Sequence, residues 1–514
     1  MKIQNPILSG FHPDPSICRV GEDFYLVNST FEYFPGIPVY HSKDLIHWEQ
    51  IGHCLTKNSQ VTLKKGAPNC IGIYAPTIRY HEGTFYCIVT SVGGGENFYV
   101  KTDDIYGEWS EPVMLPAMKG IDPSLFFDDD GKVYYSGTDA SIYLWELDLA
   151  TGEPIGEKHY VWGGTGANNP EGPHIYKING MYYLLIAEGG TELNHMVTIA
   201  RSESVFGPYE SCPHNPILTN RGMELPIKAI GHADLFDDQN GNWWAVCLGN
   251  RPVSYPFRHI LGRETMLVPV TWQDGWPVMG VNGHVPEEID LSQVSDVPGA
   301  ASGRCLPGSP ESYVPSGRYI PGSSMTDYFD GEKLHPSWNY IYNPTKPLIE
   351  LSADGLILHG NEAAIWEDEE KAILCRRQEH MDFCAETELS FAPDEEKEEA
   401  GLTIYMNNRH HYEIALTMLD GERCLILRRQ IGTLKAIEKV IPYTKGRVTL
   451  RLKGTKETYS FAYKPEGEDS FTEIGMGETG YLSTEAGGCF TGNYIALYAS
   501  GNATATFRSF SYKN

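Results

Sequence analysis

Phe11-His12-Pro13-Asp14-Pro15-Ser16 opens an apolar segment, Ile17 to Ser29, that turns at Gly21 and carries the aromatic pair Phe24-Tyr25. A proline on each side of Asp14 restricts the backbone, so the side chain is aimed rather than free to wander. The same grammar recurs four times. It is found from Ala75-Pro76-Thr77-Ile78 to Phe85-Tyr86, from Asp122-Pro123-Ser124-Leu125 to Tyr134-Tyr135, and from Gly172-Pro173-His174-Ile175 to Tyr182-Tyr183. The last copy runs from His232-Ala233-Asp234-Leu235 to Trp243-Trp244. A turn glycine precedes each aromatic pair, and Asp130-Gly131, Asn179-Gly180 and Asn240-Gly241 suit tight hairpins.

Working outward, the copies start at residues 14, 75, 122, 172 and 232, at spacings of 47 to 61. A hairpin alone is too short for that period. A four-stranded blade fits it, and five blades around a channel make a β-propeller over residues 1–295. Ser42–Trp48 and Thr102–Trp109 read as turns between outer strands. From about Leu291 to Ser324 the chain becomes rich in Pro, Gly and Ser, and residues 296–325 read as a connector. Residues 326–514 alternate apolar and polar, as in Glu386–Phe391, Ala400–Tyr405 and Arg447–Leu452, which predicts a two-sheet β-sandwich. With 31 Tyr, 53 Gly and 33 Pro and almost no helical periodicity, the 514-residue chain reads as all-β.

A net charge of -27 argues against nucleic acid and anionic membranes as partners. No apolar run is long enough for a membrane-spanning helix. The 11 cysteines are scattered without a CxxC and read as reduced core thiols. Met1-Lys2-Ile3-Gln4-Asn5-Pro6 shows no apolar leader. Together these predict a cytoplasmic protein, unless a leader has been removed.

In a propeller the innermost strands run in the same direction, so equivalent positions form a ring around the channel. Asp14, Asp122 and Glu171 therefore converge, with His232 beside them. Crowded carboxyls push each other's pKa values apart, so one keeps its proton while another is ionised. Glycoside hydrolysis by an acid and a base requires that split. A single Asp-Pro step is best explained as a turn cap. Three acids in register with a repeat are not.

These motifs resemble glycoside hydrolase family 43. The resemblance is carried by Phe11–Ser16, Gly72–Tyr80, Ile121–Ser124, Pro170–His174, Gly231–Leu235 and Leu261-Gly262-Arg263-Glu264-Thr265. It covers the whole chain, because many β-xylosidases and α-L-arabinofuranosidases of that family carry a C-terminal sandwich of concanavalin-like type. It implies single-displacement hydrolysis with inversion. Asp14 would be the base that activates water, Glu171 the acid, and Asp122 the group that raises the acid's pKa and orients it. Arg263 resembles a clamp on substrate hydroxyls, with a salt bridge at the rim as the competing reading. Phe31 would wall the terminal sugar, or simply pack in the core. The histidine matching His232 often approaches a calcium ion or a water cluster in the channel; a buried histidine bonded between blades is the other reading. No cofactor is required for the chemistry.

Tyr74 stands where the commoner pattern has tryptophan, and Asn168-Asn169-Pro170 lacks the usual bulky aromatic before the acid. Both changes open the pocket and favour exo-release of α-L-arabinofuranose from arabinoxylan- or arabinan-derived oligosaccharides. A β-1,4-xylosidase or a bifunctional enzyme is the alternative. A non-catalytic sugar-binding propeller is a distant third, and a sialidase lacks support because its repeated Asp boxes are absent. Glu485–Gly492 is expected to send Phe490 from the sandwich into the active site. An oligomer is compatible with all of these readings.

Overall fold

A computed structural model describes residues 2–63, 70–94, 96–253, 255–290 and 319–514. The predicted connector falls largely outside these residues. The fold is all-β, a five-bladed propeller followed by a concanavalin-like sandwich. The inner strands are Ser16–Val20, Thr77–His81, Ile121–Phe127, Glu171–Ile178 and Lys228–Asp237. Each begins one antiparallel sheet, and the first and last inner strands touch, closing the ring. The second blade gains a fifth strand, Gly72–Ile73. At the turns after the inner strands, Gly131 and Gly241 adopt φ of 82° and 80°, a conformation that glycine takes without steric cost.

The channel is plugged, which makes it a pocket rather than a pore. Arg79 of the second blade reaches Asp234 of the fifth at 2.8 Å and His174 of the fourth at 2.8 Å. Asp234 also accepts from Ser16 Oγ at 2.7 Å and from Tyr176 Oη at 2.6 Å. Burial alone would raise the Asp234 carboxyl. Arg79, the nearby His174 and these hydrogen bonds outweigh it and hold it far below the carboxylate range. Four blades are thereby tied together beneath the heads of their inner strands.

The sandwich consists of two eight-stranded antiparallel sheets. It does not stand apart from the propeller. Tyr33–Phe34, from the first blade's segment, pairs with Asn339–Ile341 and forms the edge of one sandwich sheet. Tyr33 stacks on Tyr494 at 3.9 Å between ring centroids. A continuous apolar cluster runs from Phe11 and Ile73 through Trp338 to Phe510. Arg377 Nε donates to the Phe11 carbonyl at 2.8 Å, so the sandwich fixes the backbone just ahead of Asp14.

The cysteine expectation needs one correction. Cys70 of the propeller and Cys489 of the sandwich form a disulfide across 419 residues of sequence. Only the docking of the two domains brings them together, so spacing could not reveal the pair. Cys18, Cys54, Cys87, Cys212, Cys247, Cys375 and Cys424 are free and buried, and Cys384 is free and partly buried.

Candidate active site

The acids are positioned by unusual backbone at the strand heads. Asp14, Asp122 and His232 have φ of 50°, 54° and 48°, and Gly172, next to Glu171, has 59°. Left-handed backbone costs a non-glycine residue about 1–2 kcal/mol. In blades three, four and five the strand pairing shifts register at these points, between Ile121 and Ser124, Glu171 and His174, and Gly231 and Asp234. A bulge re-aims one side chain out of the pleat. Repeated around the ring, it turns the head residues toward the axis.

The predicted residues come together. Arg263 Nη1 donates to Asp14 Oδ1 at 2.8 Å and Nη2 to Oδ2 at 3.3 Å, while Ser29 Oγ bonds Oδ2. His232 Nδ1 lies 4.0 Å from Asp14. One ligand atom each from Asp122, Glu171 and His232 falls within 4.8 Å of the others. Arg263 is therefore anchored to the candidate base in a buried ion pair, where the sequence suggested a clamp on substrate hydroxyls or a salt bridge at the rim. It also reaches Thr191 Oγ1 at 3.3 Å.

These contacts split the titrations. Burial pushes the Asp14 carboxyl up, but Arg263, His232, the Ser29 bond and His195 together bring it below the ordinary value. Asp122 is driven well above it, first by burial, then by Glu171 and Asp14. Glu171 is pushed up to about 7 by burial and then by Asp14, against the pull of Arg263. Asp122 and Glu171 lie within reach of each other, so their titrations are linked. The charge that lifts Glu171 is that of Asp14. The pocket thus sets Asp14, held below its ordinary value, against Asp122 and Glu171, both held above theirs.

The aromatic wall is built from both domains. Phe31 lies 5.0 Å from Tyr74 and 6.0 Å from Phe490 between centroids. The Arg263 guanidinium carbon is 5.6 Å from the rings of Phe31 and Phe490. Tyr74 Oη donates to the Cys70 carbonyl at 3.1 Å, so its hydroxyl is occupied and its ring is what remains for a ligand. Phe490 N–H meets Cys70 Sγ at 2.8 Å, and the disulfide next to it pins the loop that carries Phe490. Replacing Cys489 with serine is expected to cost about 2–4 kcal/mol of stability and to raise KM with little change in kcat. Melting curves and steady-state kinetics with and without reductant check this; an unchanged KM would show that Phe490 keeps its place unaided.

Sequence reasoning missed several supports. Glu188, fully buried, accepts from Thr165 N at 2.9 Å, Ala167 N at 3.1 Å and Thr198 Oγ1 at 2.6 Å, holding the loop that leads into Glu171. His195 Nδ1 donates to the Ala229 carbonyl at 3.1 Å, and the ring occupies the space where a Cβ on Gly231 would sit. Burial lowers its pKa to about 3, so it is a neutral imidazole near Asp14. Both residues lie between repeat heads, where the grammar of the repeat says nothing.

Asp122, Glu171 and His232 are the residues that would have to hold a calcium ion in the channel. Calcium takes about six to eight oxygen ligands. Here the three residues offer one imidazole nitrogen and the oxygens of two carboxyls, short of that count and with a nitrogen among them that calcium disfavours. The donor set does not fit, and no chemical step is assigned to a metal.

Comparison with known proteins bears on this geometry. The model for "Glycosyl hydrolases family 43" matches residues 3–277, and that for "Beta xylosidase C-terminal Concanavalin A-like domain" matches 326–513. The chain is 41% identical to the non-reducing end alpha-L-arabinofuranosidase BoGH43B of Bacteroides ovatus, over 98% of this chain and 92% of that protein. It is 38% identical to a xylosidase/arabinosidase of Butyrivibrio fibrisolvens, over 97% and 96% of the two chains. Among solved structures, the xylan beta-1,4-xylosidase of Bacillus halodurans superposes with a TM-score of 0.89 at 34% identity over the full length of both chains.

Proposed function

The chain belongs to glycosyl hydrolase family 43, and from that premise we propose that it is an inverting exo-acting α-L-arabinofuranosidase. It releases terminal or side-branch arabinofuranose from arabinoxylan- or arabinan-derived oligosaccharides. The observation that carries the reaction is geometric: one pocket holds Asp14 paired with Arg263 at 2.8 Å and, beside it, Glu171 gathered with Asp122 and His232, and these surroundings push the Asp14 carboxyl down and the Glu171 carboxyl up. Asp14 Oδ1 or Oδ2 takes a proton from water as that water attacks the anomeric carbon. Glu171 gives its proton to the leaving glycosidic oxygen. Arg263 keeps Asp14 ionised and oriented, and Asp122, which accepts from Gly172 N–H, fixes the backbone beside the acid. Phe31, Tyr74 and Phe490 wall the sugar.

The choice of sugar rests on two supports. One is the identity with an arabinofuranosidase along nearly the whole chain. The other is the smaller ring at Tyr74, with its hydroxyl directed to Cys70. β-Xylosidase or dual activity remains the second reading, because relatives of similar identity are named for both sugars. Purified protein is expected to have a kcat/KM on 4-nitrophenyl α-L-arabinofuranoside about tenfold above that on the β-D-xylopyranoside. The reverse ratio would transfer the proposal to xylose. Proton NMR of the first-formed sugar should show the inverted anomer, and retention would overturn the single-displacement mechanism.

A further inference from the structure

Outside the pocket, the loop that leads into Arg263 carries an exposed aromatic tip. Residues 251–263 join the top ends of the second and third strands of blade five, where Asn250 is paired with Lys228 and Gly249 with Glu264. Val253 N donates to the Arg258 carbonyl at 2.8 Å and closes a tip that displays Tyr255 and Phe257. Tyr255 is 90% exposed and Phe257 42%, with their rings at near right angles. Below the tip lies a groove of about 430 Å³ lined by Glu224, Leu225, Pro226, Lys228, Pro252 and Phe257. Lys228 Nζ sits 5.4 Å from the Phe257 ring.

Its place in the fold ties this groove to the reaction. Lys228 begins the inner strand on which His232 lies four residues later, and His232 is 4.0 Å from Asp14. At about 3.3 Å per residue the groove wall stands at most about 13 Å along the strand from the head of the blade. Lys228, like Asp122 and Glu171, lies at the N-terminal end of an inner strand, the end at which the pocket is built. Proline and aromatic side chains form a flat apolar floor, while Glu224 and Lys228 offer an acceptor and a donor at its side. Exposed aromatics cost a soluble protein solubility unless something covers them. Rings with a polar rim suit the apolar C–H faces and equatorial hydroxyls of a pyranose chain. A net charge of -27 turns away polyanions and leaves neutral glycans.

We propose that Tyr255, Phe257 and the groove beneath them form a distal binding platform for the neutral polysaccharide backbone whose arabinofuranose branch occupies the catalytic pocket. The platform rests on the reading of the pocket as a glycosidase site and adds the backbone-binding surface to it. Backbone residues stack on Tyr255 and Phe257, and their hydroxyls reach Glu224 and Lys228.

The test uses full-length Tyr255→Ala and Tyr255→Ala/Phe257→Ala proteins. On 4-nitrophenyl α-L-arabinofuranoside both should retain kcat/KM within about twofold of the parent. On soluble arabinoxylan, KM should rise about fivefold in the single and tenfold or more in the double variant, as expected for losing one or two aromatic contacts. In a second arm, the inactive Glu171→Gln protein is run through native gels cast with arabinoxylan; retardation should weaken when Tyr255→Ala is added. This arm reads binding without hydrolysis, so it stands even if the catalytic assignment fails. Parallel losses on small and polymeric substrates, or no change in KM and retardation, would overturn the platform. So would variants that change only the sedimentation coefficient, which would assign the patch to contact between two copies of the chain. Because Tyr255 is almost fully exposed, its truncation carries no folding burden.

Discussion

Glu171→Gln lowers kcat/KM on arabinoxylan oligosaccharides by about 10³-fold, within the usual range for loss of a general acid. The loss is markedly smaller on 4-nitrophenyl arabinofuranoside, whose phenolate departs without protonation. The pH profile sharpens the test. A general acid works only while protonated, so parental activity falls as pH rises through the Glu171 value of about 7. Asp14 works only while ionised and is held below the ordinary carboxylate range, so the acidic limb lies lower still. In Glu171→Gln the alkaline limb disappears and the acidic limb stays. Equal losses on both substrates, or an alkaline limb that persists, would assign the proton to another group. Asp122 would be the next candidate, since it shares the pair's titration.

Arg263→Met has the second large effect, acting on activity and stability together. Asp14 and Arg263 are both almost fully buried and joined by two hydrogen bonds. Removing one partner of such a pair strands the other and costs roughly 3–5 kcal/mol. Without the guanidinium, burial dominates at Asp14 and its carboxyl rises. The acidic limb of the kcat/KM profile then moves to higher pH, and activity near neutrality falls by about 10²-fold. Adding Asp14→Asn to Arg263→Met removes the stranded charge, so the double variant should melt higher than Arg263→Met alone while remaining inactive. Additive melting losses, or an acidic limb that does not move, would return Arg263 to the role of a clamp on substrate.

The platform and the pocket answer different questions about specificity. In the proposed function, Phe31, Tyr74, Phe490 and the Arg263–Asp14 pair, which lie together in the pocket, face the released sugar. Tyr255 and Phe257 stand exposed outside it, and the proposed platform would select for what that sugar is attached to. A kinetic study confined to 4-nitrophenyl sugars would see only the first.

How much could be read from the chain varies from residue to residue. The five-fold grammar identified the inner strands and placed Asp14, Asp122 and His232 at equivalent heads, because a repeat in sequence becomes a ring in space. Glu171 was legible only as the neighbour of a repeat head. Glu188 and His195 were not legible, since each acts through one loop or one glycine of an adjacent strand. Arg263 was visible through its motif, but its hydrogen-bonded partner was not. An arginine's nearest carboxylate depends on distances between segments 249 residues apart.

By itself, then, the sequence determined the β periodicity, the count of blades, the alternation of the sandwich strands and the identity of the three acids. These are local or repeating properties, set by side-chain pattern and turn chemistry. The tertiary structure alone decided that Tyr33–Phe34 joins the sandwich sheet, that Cys70 meets Cys489, and that Arg79 and Asp234 close the channel into a pocket. It also decided which carboxyl is held up and which down. That outcome depends on burial and on charges brought within a few ångströms by four different blades, and no reading along the chain contains those distances.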